Sequence, residues 1–528
     1  MSYRILVLEG ITPSGLALLK AEGWQVDERK AMPPADLAKI VGPYHAMTIR
    51  SGSQITAEVL DAATNLIVVG RPGVGVDNVD LTAATRRGIL VMNSPLGNMV
   101  TTAEFALALL FAVARNVAQA DAAIKLGKWE RKSFSGVELS GKRIGIVGLG
   151  RIGREVAARC RALGMEVVGY DPFVAPAVAA ALDVPLLAID DLARTCDFLT
   201  LHTTLTAETR NLISAPLLEK AKPGIRIVNA ARGELVDEKA LLAALDSGRV
   251  AGAALDVHCQ EPPVDWRLAQ HPRVVATPHI GAQTAEAQER VGTEIAVQVR
   301  DLLKGGVIQQ AVNFFAFSAD VYDQVRPAMD LVERLGRFVG QVCSGMPERI
   351  EVGLYGEFRQ MDVKPLLPAA VAAVLKAHIP QGLTIVNACA MARERGIQVI
   401  ESTSTSPIAF ANLIALRLKT SEAEVSVAGT VFGRNHPRLV DVDGVEVDVI
   451  PQGHMLLVKN EDTPGIIGHV GTLLGDRQVN IARMNVGRKP GSGRALMLIE
   501  VDGEVPADVL GEVLAISGVR DARSVYLG

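Results

Sequence analysis

Cysteine is scarce in this 528-residue chain, and the five present (Cys160, Cys196, Cys259, Cys343 and Cys389) are dispersed with no C-x-x-C pair. Such an odd, scattered set excludes a disulfide framework or a cysteine zinc site and reads as a reduced intracellular protein. An excess of one charge is lacking too: Lys+Arg 54 against Asp+Glu 58 leaves −4. That balance excludes a dominant electrostatic grip on nucleic acid or anionic lipid, leaving only local anion pockets. Long apolar runs are absent. The longest, Phe105 to Ala114, is about half of what a bilayer-spanning helix needs. The apolar run near the start, Ile5 to Leu8, stops at Glu9-Gly10, too short for a signal-peptide core. The expectation is a soluble, cytoplasmic protein with no metal, nucleic-acid or membrane partner.

What is present is core-forming material. With 49% hydrophobic and 21% charged residues, the chain can bury substantial cores. Its length suggests about three or four folding units. Up to about Gly305, short β-branched runs alternate with longer Ala/Leu-rich segments. Strands are expected at Arg4–Leu8, Ala46–Ile49, Leu66–Gly70 and Ile89–Met92. They resume at Arg143–Val147, Glu166–Tyr170, Phe198–Leu201, Ile225–Asn229, Ala251–Asp256 and Val274–Thr277. Helical spacing fills Pro13–Glu22 and Thr56–Ala62, with Thr12 and Thr56 as N-cap candidates. This alternation predicts an α/β fold with two Rossmann-like, doubly wound parallel-sheet domains.

Two longer amphipathic segments, Thr101 to Leu126 and Gln283 to Lys304, interrupt the rhythm. They read either as ordinary surface helices or as hinges around a cleft. In the hinge reading the first domain is discontinuous, comprising residues 1–97 and 283–312 around a second domain at 98–282. Residues 313–451 then mix helices with strand-like runs and carry no catalytic motif, as an α+β intervening domain. Within it, Arg434-Asn435-His436-Pro437-Arg438 reads as a solvated turn or a small-anion site. Residues 452–528 run strand, helix, strand, strand, helix, strand, the ferredoxin-like βαββαβ order.

Gly148-Leu149-Gly150-Arg151-Ile152-Gly153 keeps the G-x-G-x-x-G spacing between a strand and a helix. There Gly148 allows the tight turn, Gly150 lets amides approach a pyrophosphate, and Gly153 permits close helix–strand packing. Asp171 ends the next strand, where a carboxylate binds ribose hydroxyls and repels a 2′-phosphate. NAD is therefore expected over NADP. The second glycine cluster, Gly70 to Asp77, reads from its spacing either as a constrained loop or as a cradle of amides for a substrate carboxylate.

Three polar residues stand at strand ends: Arg232 in Asn229-Ala230-Ala231-Arg232-Gly233, Glu261 before Pro262-Pro263, and His279 in Thr277-Pro278-His279-Ile280-Gly281. Oxidising a secondary alcohol with NAD needs a base for the hydroxyl proton, and histidine suits it. A carboxylate can orient that base, and an arginine can clamp a substrate carboxylate. Together with the glycine fingerprint, these contexts from about Arg4 to Lys304 resemble the D-isomer-specific 2-hydroxyacid dehydrogenase family. The resemblance implies that His279 is the acid–base, Glu261 its partner and Arg232 the substrate clamp. It also places Arg151, Ile152, Thr203, Ala230 and Asp256 around NAD, and implies a split substrate domain. His258 and Cys259 receive no role, and His202 and His271 read as structural.

The same resemblance turns Arg50, Ser51, Arg71, Val74, Gly75 and Asn98 toward the substrate cleft. With Arg131 they suggest a doubly anionic substrate, because arginine binds phosphate bidentately. The tail motif Asn460-Glu461-Asp462-Thr463-Pro464-Gly465, followed by Val479-Asn480-Ile481, resembles the ACT domain. That resemblance implies that Asn460 and Asp462, with Asn480 of a neighbouring chain, bind L-serine, and Pro464 is placed in the first turn of the helix. The whole arrangement resembles the long, serine-regulated branch of the dehydrogenase family. It implies a homo-oligomer, a tetramer, that oxidises 3-phosphoglycerate to 3-phosphohydroxypyruvate. A dehydrogenase for another D-2-hydroxyacid, or a non-catalytic NAD-sensing protein, remain the alternatives.

Overall fold

The computed structural model describes residues 2–9, 11–306, 308, 310–315, 319–359, 364–379, 381–404, 410–433, 435–489 and 491–528; Arg434 lies outside them. Four sheets organise the chain. The first holds β1 (Arg4–Leu8), β2 (Gln25–Arg29), β3 (Ala46–Ile49), β4 (Val68–Arg71) and β5 (Leu90–Asn93), in the order β2-β1-β3-β4-β5. Every pairing in it is parallel. Strand β2 was not expected. Its sequence, Gln25-Val26-Asp27-Glu28-Arg29, is polar because it lies at the sheet edge with Gln25, Glu28 and Arg29 exposed. Its register with β1 and a hydrogen bond from Tyr44 to Asp27 hold it there.

The second sheet holds β6 (Arg143–Val147), β7 (Glu166–Tyr170), β8 (Phe198–Leu201), β9 (Ile225–Asn229), β10 (Val250–Leu255) and β11 (Val274–Ala276). Its order, β11-β10-β9-β8-β6-β7, is all parallel and reverses direction between β6 and β8. Ligands of doubly wound sheets bind in the crevice at that switch point, outside the carboxyl ends of the strands.

The expected helix from Thr101 to Leu126 is two helices, Met99–Arg115 and Val117–Lys125, bent by 67°. The break is Asn116, at φ +54°, a left-handed conformation that asparagine tolerates better than most side chains. No single helix among the described residues is long and apolar enough to cross a membrane. The Ala285–Leu303 helix is capped by Thr284, which accepts from the Ala287 amide. Its Ile295, Ala296, Val299 and Leu303 are buried with Ile5, Val7, Val68 and Met92 of the first sheet, so the chain returns to the sheet it left. Thr12 caps the Pro13–Lys20 helix as expected, whereas Thr56 makes no capping bond at Ala57–Ala62.

The third sheet holds β12 (Pro347–Gly356), β13 (Gln398–Ser404), β14 (Asn412–Thr420), β15 (Glu424–Phe432), β16 (His436–Val442) and β17 (Val445–Val449), ordered β13-β12-β14-β15-β16-β17. Strands β13 and β14 were not anticipated. Residues His436 and Arg438 belong to β16 rather than to a turn, and Arg438 pairs with Asp448 at 3.2 Å. The fourth sheet holds β18 (His454–Glu461), β19 (Ile481–Lys489), β20 (Arg494–Val501) and β21 (Val519–Tyr526) in the ferredoxin-like order β19-β20-β18-β21. The helix Ile466–Asp476 starts after Gly465 at φ +96°, so Pro464 precedes the cap instead of occupying the first turn.

The third and fourth sheets share one core. Met455, Leu457, Leu496, Leu498 and Val525 are buried with Leu331, Leu335 and Phe338 of the long helix Ala319–Val342 and with Val445 and Val447. Each such side chain contributes about 1.5–3 kcal/mol by burial. Ending the chain after Pro451 is therefore expected to destabilise the third sheet itself. Calorimetry should show a clearly lowered Tm or aggregation of the truncated chain. An unchanged transition for that part would show that the shared core is dispensable.

Candidate active site

The loop after β6 has the form of a dinucleotide cradle. Gly148 sits at φ +95°, and a Cβ there would lie 2.6 Å from the His202 carbonyl oxygen. A Cβ on Gly153 would overlap the Gly148 carbonyl, so the Arg151–Ala162 helix can meet its strand only through glycine. Gly150, the N-cap of that helix, has open space where a Cβ would stand, so a pyrophosphate can approach its backbone closely. Asp171 accepts hydrogen bonds from Leu149 N (2.8 Å) and Phe173 N (2.9 Å). A carboxylate has about four acceptor sites, so two remain for ribose hydroxyls. The cradle fits NAD. Arg151 is exposed at the helix start, Ile152 half-buried behind it, and Thr203 and Ala230 line the ends of β8 and β9. Asp171→Ala is expected to weaken NAD and to narrow its preference over NADP by about tenfold to a hundredfold, the equivalent of about 1.5–3 kcal/mol for hydrogen bonds to a charged group. The ratio of kcat/KM for the two cofactors measures it.

His279 occupies a turn at φ +55°, and its Nδ1 lies 2.7 Å from Glu261 Oε2. Burial raises the Glu261 carboxyl, but the His279 hydrogen bond and charge and the His258 amide outweigh it, so the group sits below the ordinary carboxylate range. Asp256 is buried, at 1% exposure, and its oxygens are occupied by Thr277 Oγ1 (2.6 Å), Ile280 N (2.9 Å) and Gly281 N (2.8 Å). Its carboxylate therefore shapes the turn that presents His279, in addition to any contact with the cofactor.

Arg232 follows β9 in extended backbone and donates from Nε to Asp77 Oδ2 at 2.8 Å. Asn229, 1% exposed, braces this loop by accepting from Ala231 N and donating to the Arg232 carbonyl. Arg71 ends β4. Burial and then the charge of Arg232 push its guanidinium down to about 10, against the opposing pull of Asp77, with Arg50 adding to the repulsion. Burial likewise lowers Arg50, with Glu9 opposing. Arg71 Nε has no hydrogen-bond partner among the described residues. A buried, unpaired donor amid three guanidinium groups is relieved by an anion.

Gly75 and Val74 border this cluster, held by Asn93, which donates to the Val74 carbonyl. A Cβ on Gly75 would overlap the Arg232 guanidinium. Asn98 is buried at the start of the Met99–Arg115 helix with its Oδ1 unpartnered, and Ser51 is exposed beside Arg50. Arg131 stands exposed on a short helical turn, Arg131–Phe134. Asp77 and Asn229 escaped the sequence reading as site residues. Asp77 lay in a loop considered for its glycines, and Asn229 within a motif considered for its arginine. His202, half-buried and bonded to Thr200 Oγ1 at 2.8 Å, is pushed down to about 4 by desolvation, which suits a neutral structural imidazole.

In the fourth sheet, Asn460 is 4% exposed, donates to the Glu461 carbonyl and leaves Oδ1 unpartnered. Asp462 lies 3.3 Å from Arg488. Asn480 bonds Asp502 at 2.7 Å, beside the row in which Ile481 pairs with Val501. Asn460 pairs with Ala495 near the other end of the sheet. One chain therefore does not bring Asn480 to Asn460 and Asp462.

Three family models match this chain. They are the D-isomer specific 2-hydroxyacid dehydrogenase NAD binding domain over residues 107–281, the D-3-phosphoglycerate dehydrogenase intervening domain over 324–443, and the ACT domain over 454–518. D-3-phosphoglycerate dehydrogenase of Synechocystis is 41% identical over 99% of this chain and 95% of its own length. That of Archaeoglobus fulgidus is 40% identical over 99% and 100%. The chain belongs to the D-3-phosphoglycerate dehydrogenase family. A solved protein of Thermus thermophilus, 37% identical, covers 58% of this chain and 99% of its own with a TM-score of 0.55. The expected mixed α/β architecture, with Rossmann-like parallel sheets followed by a mixed sheet and an ACT-like sheet, holds. The chain is an NAD-dependent dehydrogenase.

Proposed function

We propose that this chain oxidises 3-phospho-D-glycerate to 3-phosphohydroxypyruvate with NAD, the first step of the phosphorylated route to serine. The observation that carries it is the His279–Glu261 contact at 2.7 Å on one loop pair, with Arg232, Arg71 and Arg50 gathered as the anion-binding group. NAD, when bound in the Gly148–Gly153 cradle, supplies the hydride acceptor. His279 takes the C2 hydroxyl proton on Nε2, because Nδ1 is engaged by Glu261. Glu261 fixes the ring and offsets the imidazolium charge that forms. Arg232 holds the substrate carboxylate and polarises the C2 oxygen, while Arg50 and Arg71 offer charge for the phosphate. Val74, Gly75, Ser51 and Asn98 shape the same wall, and Arg131 is assigned to its rim.

In this reading residues 1–97 and 283–312 bind substrate, 98–282 bind NAD, and 313–451 and 452–528 regulate. L-Serine inhibits at paired ACT domains through Asn460 and Asp462 of one chain and Asn480 of another, within a cytoplasmic homotetramer. Asn480 stands at the far end of its own sheet, which suits a site completed by a neighbour.

Initial rates with NAD and 3-phosphoglycerate, glycerate or D-lactate, each with and without serine, test it. Phosphoglycerate should exceed the others in kcat/KM, and serine should inhibit wild type but not Asn460→Ala. Comparable turnover of glycerate or lactate would reassign the substrate. Serine inhibition unchanged in Asn460→Ala would remove the regulatory assignment.

A further inference from the structure

Asp77 is an exposed carboxylate on the loop after β4, yet its backbone is held on both sides. The next residue, Asn78, is buried and donates from Nδ2 to the carbonyls of Arg50 (2.9 Å) and Ser53 (2.6 Å). The Asn78 carbonyl accepts from the Ile55 amide at 2.8 Å, and the Val79 amide donates to the Val76 carbonyl at 2.9 Å. Nearer β4, Asn93 donates to the Val74 carbonyl at 2.6 Å. Displacing a buried amide that makes two such bonds would leave its partners unsatisfied. The loop therefore fixes where the Asp77 carboxylate stands.

That carboxylate meets Arg232, which follows β9 in the second sheet. Arg232 Nε donates to Asp77 Oδ2 at 2.8 Å, and Nη1 donates to the Ala231 carbonyl at 2.7 Å. Two of the three guanidinium nitrogens are thus anchored, and Nη2 has no hydrogen-bond partner among the described residues. Nη2 is also the atom that a Cβ on Gly75 would overlap, so the guanidinium turns its free edge to the glycine loop. Its charge alone would not keep it there. Beyond burial, the Arg232 charge already works against that of Arg71, and Arg50 adds to the repulsion. The Arg232 side chain is 27% exposed, so solvent offers it another position. The ion pair with Asp77 opposes that escape.

We propose that Asp77 is a positioning residue for carboxylate recognition: it holds Arg232 by Nε so that Nη2 faces the carboxylate of the 2-hydroxyacid. This role rests on the clamp assignment of Arg232 proposed above. The clamp comes from the second sheet and its orientation from the first, so the site is complete only with both loops in place. Asp77 itself touches neither substrate nor cofactor, and its effect has a sign that charge alone cannot give. By charge, removing a carboxylate beside three guanidinium groups should tighten every anion. Removing a positioning carboxylate should instead weaken the one anion that Arg232 binds.

Competitive inhibition of the full-length enzyme by two anions reads that sign. Oxamate carries a carboxylate beside a carbonyl and no phosphate, whereas glycerol 3-phosphate carries a phosphate and no carboxylate. In Asp77→Ala the inhibition constant of oxamate should rise at least about tenfold, while that of glycerol 3-phosphate stays within about twofold or falls. The kcat/KM for 3-phosphoglycerate should fall about 10²-fold. NADH affinity and Tm should hold, because the Asp77 side chain is exposed and lies outside the glycine cradle. Asp77→Asn keeps an acceptor for Nε and should lose less than Asp77→Ala. Arg232→Gln separates the two ways of failing. Oxamate inhibition unchanged in Arg232→Gln would remove the clamp, and the role of Asp77 with it. Oxamate weakened in Arg232→Gln but unchanged or tighter in Asp77→Ala would overturn the role of Asp77 alone. Equal weakening of both anions in Asp77→Ala would overturn it as well.

Discussion

Replacing His279 by alanine should lower kcat for 3-phosphoglycerate oxidation by about 10²–10⁴-fold, the usual worth of a positioned general base. The loss should fall on the chemical step. His279 bonds to Glu261 and to the Asp256 carbonyl, and neither the glycine cradle nor Asp171 depends on its ring. NAD affinity, read by fluorescence titration with NADH, should therefore stay within about twofold, since the cradle and Asp171 lie on other loops and the Asp256 bonds to the Ile280 and Gly281 amides do not involve the ring. Glu261→Gln is the companion measurement. It keeps a hydrogen-bonding partner for Nδ1 but removes the charge that favours imidazolium. Its kcat for 3-phosphoglycerate should fall, by less than His279→Ala produces. The wild-type carboxyl stays ionised to lower pH than an ordinary glutamate, because its folded pKa is depressed. The pair's contribution to stability is thus present above the ordinary glutamate range and is lost as pH falls through the lowered value. Full turnover in His279→Ala would end the assignment of this residue as the base.

The second large effect is expected from a single methyl group. In Gly75→Ala the new Cβ would overlap the Arg232 guanidinium, and would lie 2.8 Å from Asp77 Oδ2 and 3.0 Å from Arg232 Cζ. Gly75 is outside the left-handed region, so alanine is not strained by its backbone. The atoms it meets belong to flexible side chains, so the fold survives while Arg232 must move and its 2.8 Å bond to Asp77 is disturbed. A misplacement of about 1 Å at a reacting centre costs on the order of 10²-fold. The expected result is a fall of that size in kcat/KM for 3-phosphoglycerate, with Tm and NADH affinity nearly unchanged. Wild-type kcat/KM in this variant would mean that Arg232 is not held where the substrate carboxylate binds.

Much of the fold was legible because it is local. Strands such as Arg143–Val147 and Phe198–Leu201 are short apolar runs between turn residues, and their observed bounds match the pattern. Strand β2 was missed because an edge strand exposes both its rim and its face, and so keeps a polar sequence. The break at Asn116 was missed because the apolar spacing continues across it while one residue turns left-handed. Asp77 was invisible as a site residue because its partner, Arg232, is 155 positions away.

By itself the sequence determined the glycine cradle, the Asp171 that follows it, and the βαββαβ order of the tail. Each depends on residues close in the chain, whose spacing sets backbone conformation directly. Tertiary structure alone decided that Arg232 reaches Asp77, that the Ala285–Leu303 helix returns to the first sheet, and that the third and fourth sheets bury a single core. Those contacts join segments that are distant in the chain, and the packing of apolar faces selects them.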